Sequence, residues 1–101
     1  MKRGEVWWAL VDKRRPVVLL SRNEAYDVRA LVIVAPATTV VRGFSLEIKL
    51  GRAEGLPRDC VLNCDWLVTI AKADLIERTG VLSAAKIRKL DEALRFALGM
   101  D

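Results

Sequence analysis

Two guanidinium groups stand at the start of an apolar segment in Arg14-Arg15-Pro16-Val17-Val18-Leu19-Leu20-Ser21. Proline fixes its own φ and pushes the preceding residue toward an extended conformation. Arg15 is therefore expected at the entrance of a strand and not on a free loop. A second segment, Val32-Ile33-Val34-Ala35-Pro36-Ala37-Thr38-Thr39, has the form of an apolar strand that ends in hydroxyls. An arginine and a threonine delivered by two rigid strands can together bind a phosphate, because a planar guanidinium donates two parallel hydrogen bonds to its oxygens. The chain contains no histidine, so acid–base chemistry must use something else.

These residues need strands to hold them. Glu5 to Val11 combines aromatic and β-branched residues with nothing that breaks a strand. Val6, Trp8 and Leu10 share one of its faces, and Glu5, Trp7 and Ala9 the other. Trp7 and Trp8 are read as packing residues. Asp12-Lys13-Arg14 makes a tight connection to a strand over Pro16 to Ser21. Residues 22–27 are polar and read as a loop carrying Tyr26. Leu31 to Ala37 is the most apolar strand and is expected to be central, with Pro36 limiting its pairing near the end. The alternation Phe44, Leu46, Ile48, Leu50 predicts another strand, Asp59 to Cys64 a further one, and Leu67 to Ile70 one more. Gly80 is expected to close a short helical segment. Ser83 is a fitting N-cap for a final helix, whose apolar stripe is Ile87, Leu90, Leu94, Ala97 and Leu98.

Five or six short strands followed by one amphipathic helix predict a mainly β fold. The expected form is a small curved antiparallel sheet, or half-open barrel, with the helix packed against its side. At 101 residues a single domain over 1–101 is expected. Hydrophobic residues make up 52% and charged residues 30%, a globular and not a disordered composition. The longest apolar run, Leu31 to Val41, is interrupted by Pro36 and too short to span a bilayer. The start does not read as a signal peptide, so a cytoplasmic location is the expectation. Cys60 and Cys64 fall on one strand roughly 13 Å apart, too far to bridge within it. With no histidine and no other cysteine a zinc site has no ligand set, and no cofactor is expected. Charge is uneven: residues 1–58 hold eleven Lys/Arg and six Asp/Glu, and residues 59–101 hold six and seven. A basic half can attract an anionic polymer.

The opening Arg3-Gly4-Glu5-Val6-Trp7-Trp8, the Arg15-Pro16-Val17-Val18 strand, the Val32-to-Thr39 strand and Gly55-Leu56-Pro57-Arg58-Asp59 resemble the MazF/PemK toxin family. So do Asp65, Thr69 and the closing Leu90-Asp91-Glu92-Ala93-Leu94 helix. The resemblance runs in order along essentially the whole chain. It implies a homodimeric, sequence-specific, ribosome-independent endoribonuclease of a toxin–antitoxin module. The partner antitoxin would lay an acidic C-terminal segment over the RNA groove. The family's arginine falls on Arg15 and its threonine on Thr38, which makes these two the candidate catalytic residues. Metal-free cleavage by the neighbouring 2′-hydroxyl gathers negative charge on the phosphoryl oxygens. One preorganised donor aimed at such charge is worth about 10²–10³-fold. Arg14, Ser21, Thr39, Arg42, Lys49, Trp66 and Thr69 are the candidate contacts to single-stranded RNA.

The sequence departs from the family in two places. Many members carry a longer loop before the arginine, with a Gly-x-Glu segment that supplies a carboxylate. Here Val11-Asp12-Lys13-Arg14 joins the strands directly. Asp12 or another acid takes over, or Arg15 and Thr38 suffice, or the RNA presents itself in line. Asp65-Trp66-Leu67-Val68-Thr69 stands where the family often has Asp-Gln-Ile-Arg-Thr. An exposed Trp66 stacking on a base would contribute ~1–3 kcal/mol. Two other functions are compatible with such a barrel. A gyrase-poisoning toxin would be expected to end in Trp-Gly-Ile, whereas this chain ends Leu98-Gly99-Met100-Asp101. A non-catalytic RNA-binding barrel would bind RNA in a salt-sensitive way without turnover.

Overall fold

The computed structural model describes residues 1–43 and 47–100. The expected strand positions of Phe44 and Leu46 lie outside the described residues. Strand β1, Glu5–Leu10, pairs antiparallel with β2, Arg14–Leu19, in a register running from Val6 opposite Val18 to Leu10 opposite Arg14. Residues 11–13 close this hairpin, with the Val11 amide donating to the Lys13 carbonyl at 2.9 Å. Strand β3, Leu31–Thr38, is the hub. Val34, Ala35 and Pro36 pair with β2. Strands β4, Glu47–Leu50, and β5, Cys60–Asn63, form a second hairpin, and Ala37 and Thr38 of β3 pair with β5. The other end of β3, Leu31 to Val34, pairs with β6, Val68–Ala71. Pro36 sits in the gap between the stretches of β3 taken by β6 and β5, a place where a missing N–H is tolerated. Strand β7, Leu75–Val81, covers the free edge of β1. The strand order is β4-β5-β3-β2-β1-β7, with β6 beside β3.

Both faces of β2 and of the second half of β3 are buried over residues 17–19 and 34–37, while Leu10, Leu31 and Ile33 are exposed. One face carries Val6, Val18, Ala35 and Ala37, with Leu62, Leu82 and Leu90 packed over them. The other carries Ala9, Val17, Leu19, Val32 and Val34, closed by Ile70 and Tyr26. Helix α2, Ala84–Ala97, covers the first face. Its N-cap is Ser83, whose hydroxyl accepts from the Lys86 amide at 3.2 Å. Ile87, Leu90, Ala93, Leu94 and Ala97 pack inward. Leu98 was expected in this stripe, but it lies past the last helical residue and is exposed. No helix among the described residues is long and apolar enough to cross a membrane.

Two local readings are corrected. The polar segment over 22–27 runs into one helical turn, α1, Ala25–Val28. Tyr26 is buried there, its hydroxyl donating to the Ser21 carbonyl at 3.0 Å while its own carbonyl accepts from Lys72. The segment before Gly80 is strand β7 and not a helix. Its β-branched residues Ile76, Thr79 and Val81 suit a strand, and the open edge of β1 supplies the ladder. Gly80 does not end a helix. A Cβ there would stand 2.5 Å from the Glu54 carbonyl oxygen.

That contact belongs to a tight knot. Residues 52–54 form a 3₁₀ turn that ends at Gly55 with φ +79°. A Cβ on Gly55 would collide with the Thr79 carbonyl, while the Thr79 hydroxyl donates to the Glu54 carbonyl at 2.9 Å. The Glu54 carboxylate, 2% exposed, accepts from the Gly51 amide at 2.7 Å and from Lys86 Nζ at 2.8 Å. A buried charge needs such partners. The pair ties α2 to the segment leading into β5. Replacing Gly99 by alanine, where φ is +69° and nothing lies within 4 Å, should cost about 1–2 kcal/mol in chemical denaturation. Gly55→Ala should exceed this by at least about 1 kcal/mol; equal costs would show that the knot gives way freely.

Candidate functional site

Beside the hairpin of β1 and β2 lies a cleft of about 270 Å³. Its position follows from the register. Because Val17 lies opposite Pro36, extending the ladder by two residues sets Arg15 level with Thr38. The start of one strand and the end of its neighbour thus share one edge of the molecule. Arg14, Arg15, Thr38 and Thr39 all line the cleft. The loop before β5 closes it with Pro57 and Arg58, and Lys13 contributes from the hairpin turn. Four cations therefore face one depression, and no carboxylate is among the described residues that line it. Such a field concentrates anions.

Arg15 is held from three sides. The Asp12 carboxylate accepts from its Nε at 2.7 Å and from its Nη2 at 3.0 Å. The Ala37 carbonyl accepts from Nη1 at 3.4 Å. The guanidinium carbon lies 4.9 Å from the centre of the Trp66 ring, within cation–π range. Its side chain is only 16% exposed. Arg14, on the opposite side of β2, stacks in the same way on Trp8, also at 4.9 Å. Thr38 Oγ1 accepts from the Val40 amide at 3.2 Å. A hydroxyl keeps one donor beyond such a contact, so its O–H can still be given to a ligand.

Protonation states follow from these contacts. The hydrogen bond from Arg15 holds the Asp12 carboxyl well below the usual carboxylate range, and the same bond raises Arg15. Burial pushes the Cys60 thiol up, with the Glu54 and Asp59 charges adding to it, and pushes Cys64 up to about 11. Cys60 lines the cleft but stays a protonated thiol and a poor nucleophile. Both cysteines are buried and free. Among the described residues no group of three or more His, Cys, Asp or Glu is placed to hold a metal ion.

The remaining sequence candidates scatter. Ser21 lies six residues from Arg15, roughly 20 Å along an extended chain. Its hydroxyl accepts from the Ile33 amide at 2.8 Å, so it is a strand-end fastener away from the cleft. Thr69 lies opposite Ile33, at the β6-paired end of β3 and not at the cleft end. Lys49 lines a second depression with Arg52 and Lys86, which meets the first at Cys60. Arg42 is exposed, and its amide donates to the Glu47 carboxylate at 3.0 Å. It does not line the cleft. Trp66 is half-buried and serves first as the platform for Arg15. Sequence reasoning missed Arg58, Lys13 and the role of Trp8. Arg58 lay inside a quoted motif, and only the fold turns it toward Arg15.

The family model for the PemK-like, MazF-like toxin of type II toxin–antitoxin systems matches residues 2–98. The chain belongs to the PemK/MazF toxin family. It is 37% identical to the probable endoribonuclease MazF5 of Mycobacterium tuberculosis, over 95% of this chain and 91% of that protein. It superposes on the solved Mycobacterium tuberculosis toxin MazF-mt6 with a TM-score of 0.91 and 36% identity, covering 96% of this chain and 98% of that one. A mycobacterial endoribonuclease solved in complex with its cognate antitoxin is 26% identical with a TM-score of 0.88, covering all of this chain and 97% of that one. The expected fold and family are thereby borne out. The cleft of this PemK/MazF member is lined by Arg15 and Thr38 and, as the chain has no histidine, by no imidazole.

A lowered carboxyl pKa in the folded chain stabilises it above the unfolded value near 3.9, and the contribution is lost as pH falls through the folded value. Asp12 is more than half exposed, so this contribution is screened and small. Carboxyl ¹³C titration should find Asp12 still ionised at about pH 3, where an ordinary aspartate is mostly protonated. Arg15→Ala should return it toward the ordinary range. An Asp12 titration unchanged by Arg15→Ala would refute the pairing.

Proposed function

We propose that the protein is an endoribonuclease toxin that cuts single-stranded RNA at specific sequences, independently of the ribosome and without a metal ion. The observation that carries this reading is that Arg15 and Thr38, from the start of β2 and the end of β3, line one cleft together with Lys13, Arg14 and Arg58. RNA brings its own nucleophile. The 2′-oxygen attacks the adjacent phosphorus and the bond to the 5′-oxygen breaks, leaving a cyclic phosphate and a free 5′-hydroxyl. The protein's task is to place the phosphate and stabilise charge on its oxygens. Arg15 donates to those oxygens, and Thr38 adds a hydroxyl donor. Lys13, Arg14, Arg58 and Thr39 hold the strand on either side, with an affinity that falls as salt rises.

The missing Gly-x-Glu loop has a consequence for the proton. Asp12 is ionised but too acidic to accept a proton well, and Cys60 is a thiol. On this reading water takes the 2′ proton and water returns a proton to the departing 5′ oxygen, so that catalysis rests on positioning and charge stabilisation. Relatives described as endoribonucleases, at 37–38% identity over more than nine-tenths of this chain, support the activity. A structural neighbour seen with its antitoxin supports an antitoxin partner, and the cationic cleft is the surface that an acidic C-terminal segment of such a partner would cover. The working unit is read as a homodimer of single-domain chains over 1–101, in the cytoplasm.

The test is cleavage of a long single-stranded RNA in EDTA, with every new end mapped. Discrete cuts bearing cyclic phosphate are expected. Arg15→Ala should slow them by about 10²–10³-fold, and Thr38→Val should slow them by less. Equal cutting by Arg15→Ala would overturn the assignment. Folded protein that binds RNA without any cut would make it a binding module.

A further inference from the structure

We infer that Asp12 is a positioning residue for RNA cleavage, a carboxylate clamp that fixes Arg15 in its phosphate-binding orientation. The inference rests on the reading of Arg15 as the phosphate-binding group. Three observations converge on it. The clamp is bidentate, with Nε donating to Asp12 Oδ1 at 2.7 Å and Nη2 to Oδ2 at 3.0 Å. It closes one edge of the guanidinium completely. The Ala37 carbonyl takes a hydrogen of Nη1, and the Trp66 ring takes the face. A guanidinium has five N–H donors. Three are engaged here, and the two that remain lie one each on Nη1 and Nη2.

Those two hydrogens are what an incoming phosphate can use. Arg15 is thus ordered before RNA arrives, and binding need not freeze a long flexible side chain. The sequence supplies the clamp cheaply. The β1–β2 turn is short, so Asp12 stands only three residues before Arg15. The longer loop of many relatives is not required to hold the arginine. Asp12 also carries a negative charge beside a cleft of four cations. It opposes RNA attraction while it aids turnover, and these two effects can be separated.

The experiment compares Asp12→Asn, Asp12→Ala, Asp12→Glu and Arg15→Ala on one RNA with a mapped cut, and measures binding to the same RNA with a 2′-deoxy sugar at the cut. Asp12→Asn and Asp12→Ala should lower kcat by about 10- to 100-fold, since misplacing a reacting group by about 1 Å costs 10²-fold. Binding of the uncleavable RNA should hold or tighten at low salt. Asp12→Glu should recover part of kcat, which separates a clamp from a general loss of folding.

An unchanged or raised kcat in Asp12→Asn, with Arg15→Ala inactive, would overturn the clamp and leave the Arg15 assignment standing. A kcat loss accompanied by disappearance of the rate's rise with pH would make Asp12 the general base instead. Full activity in Arg15→Ala would bring down the underlying reading. Weaker binding of the uncleavable RNA to every Asp12 variant, Asp12→Glu included, would show a structural role and also overturn the clamp.

Discussion

The antiparallel register of β3 against β2 is the constraint on which the site depends. Val17, Val18 and Leu19 are each fully buried, and so are Val34 and Ala35 opposite them. Side chains alternate across a strand, so a slip of one residue would send this whole set to the wrong faces. Both faces are covered over this paired block, and no slipped register keeps both covers filled. Arg15 and Thr38 lie two residues beyond the last paired residues of this block. Their meeting is therefore set by the burial of side chains that take no part in chemistry. Both residues are thus carried by hydrogen-bonded strands, as the proposed phosphate-binding role would require.

The charges around that edge form a graded set. Arg15 is half-buried and held by Asp12, Ala37 and Trp66, whereas Lys13 is exposed and Arg14 is exposed over the Trp8 ring. Half-buried and exposed cations do different work. The half-buried one can discriminate a transition state from a ground state, because its donors need no reorganisation. Under the proposed function the exposed ones would attract RNA of any sequence, and that attraction would fall with salt. A histidine-free cleft can work with RNA because the substrate brings its own nucleophile. The protein needs only donors at fixed positions, and two strand ends provide them.

Strand content, the closing helix and the strand-end positions of Arg15 and Thr38 were legible in the sequence, because each leaves a local signal. Arg-Pro marks a strand entrance, hydroxyls mark a strand end, and Ser83 marks a helix start. What was not legible depends on distant neighbours. Gly80 reads as a helix terminator until the Glu54 carbonyl is seen against it. Ser21 and Thr69 look like ligands by residue type, but the ladder carries them to the other end of the strands. Glu54 carries no local sign of burial, yet it is a buried carboxylate paired with Lys86, 32 residues further on in a helix. Asp12 stood in plain view beside Arg15, but its role depends on side-chain direction, which the type of turn alone does not give.

The central claim is that Arg15 binds the phosphate at which RNA is cut. The most direct measurement is ¹⁵N NMR of the Arg15 side chain as RNA with a 2′-deoxy sugar at the mapped cut is added. If the claim holds, the Arg15 Nη signals shift and sharpen in step with a ³¹P shift of that one phosphodiester. Arg15 signals that stay unmoved while the RNA saturates the protein would contradict it.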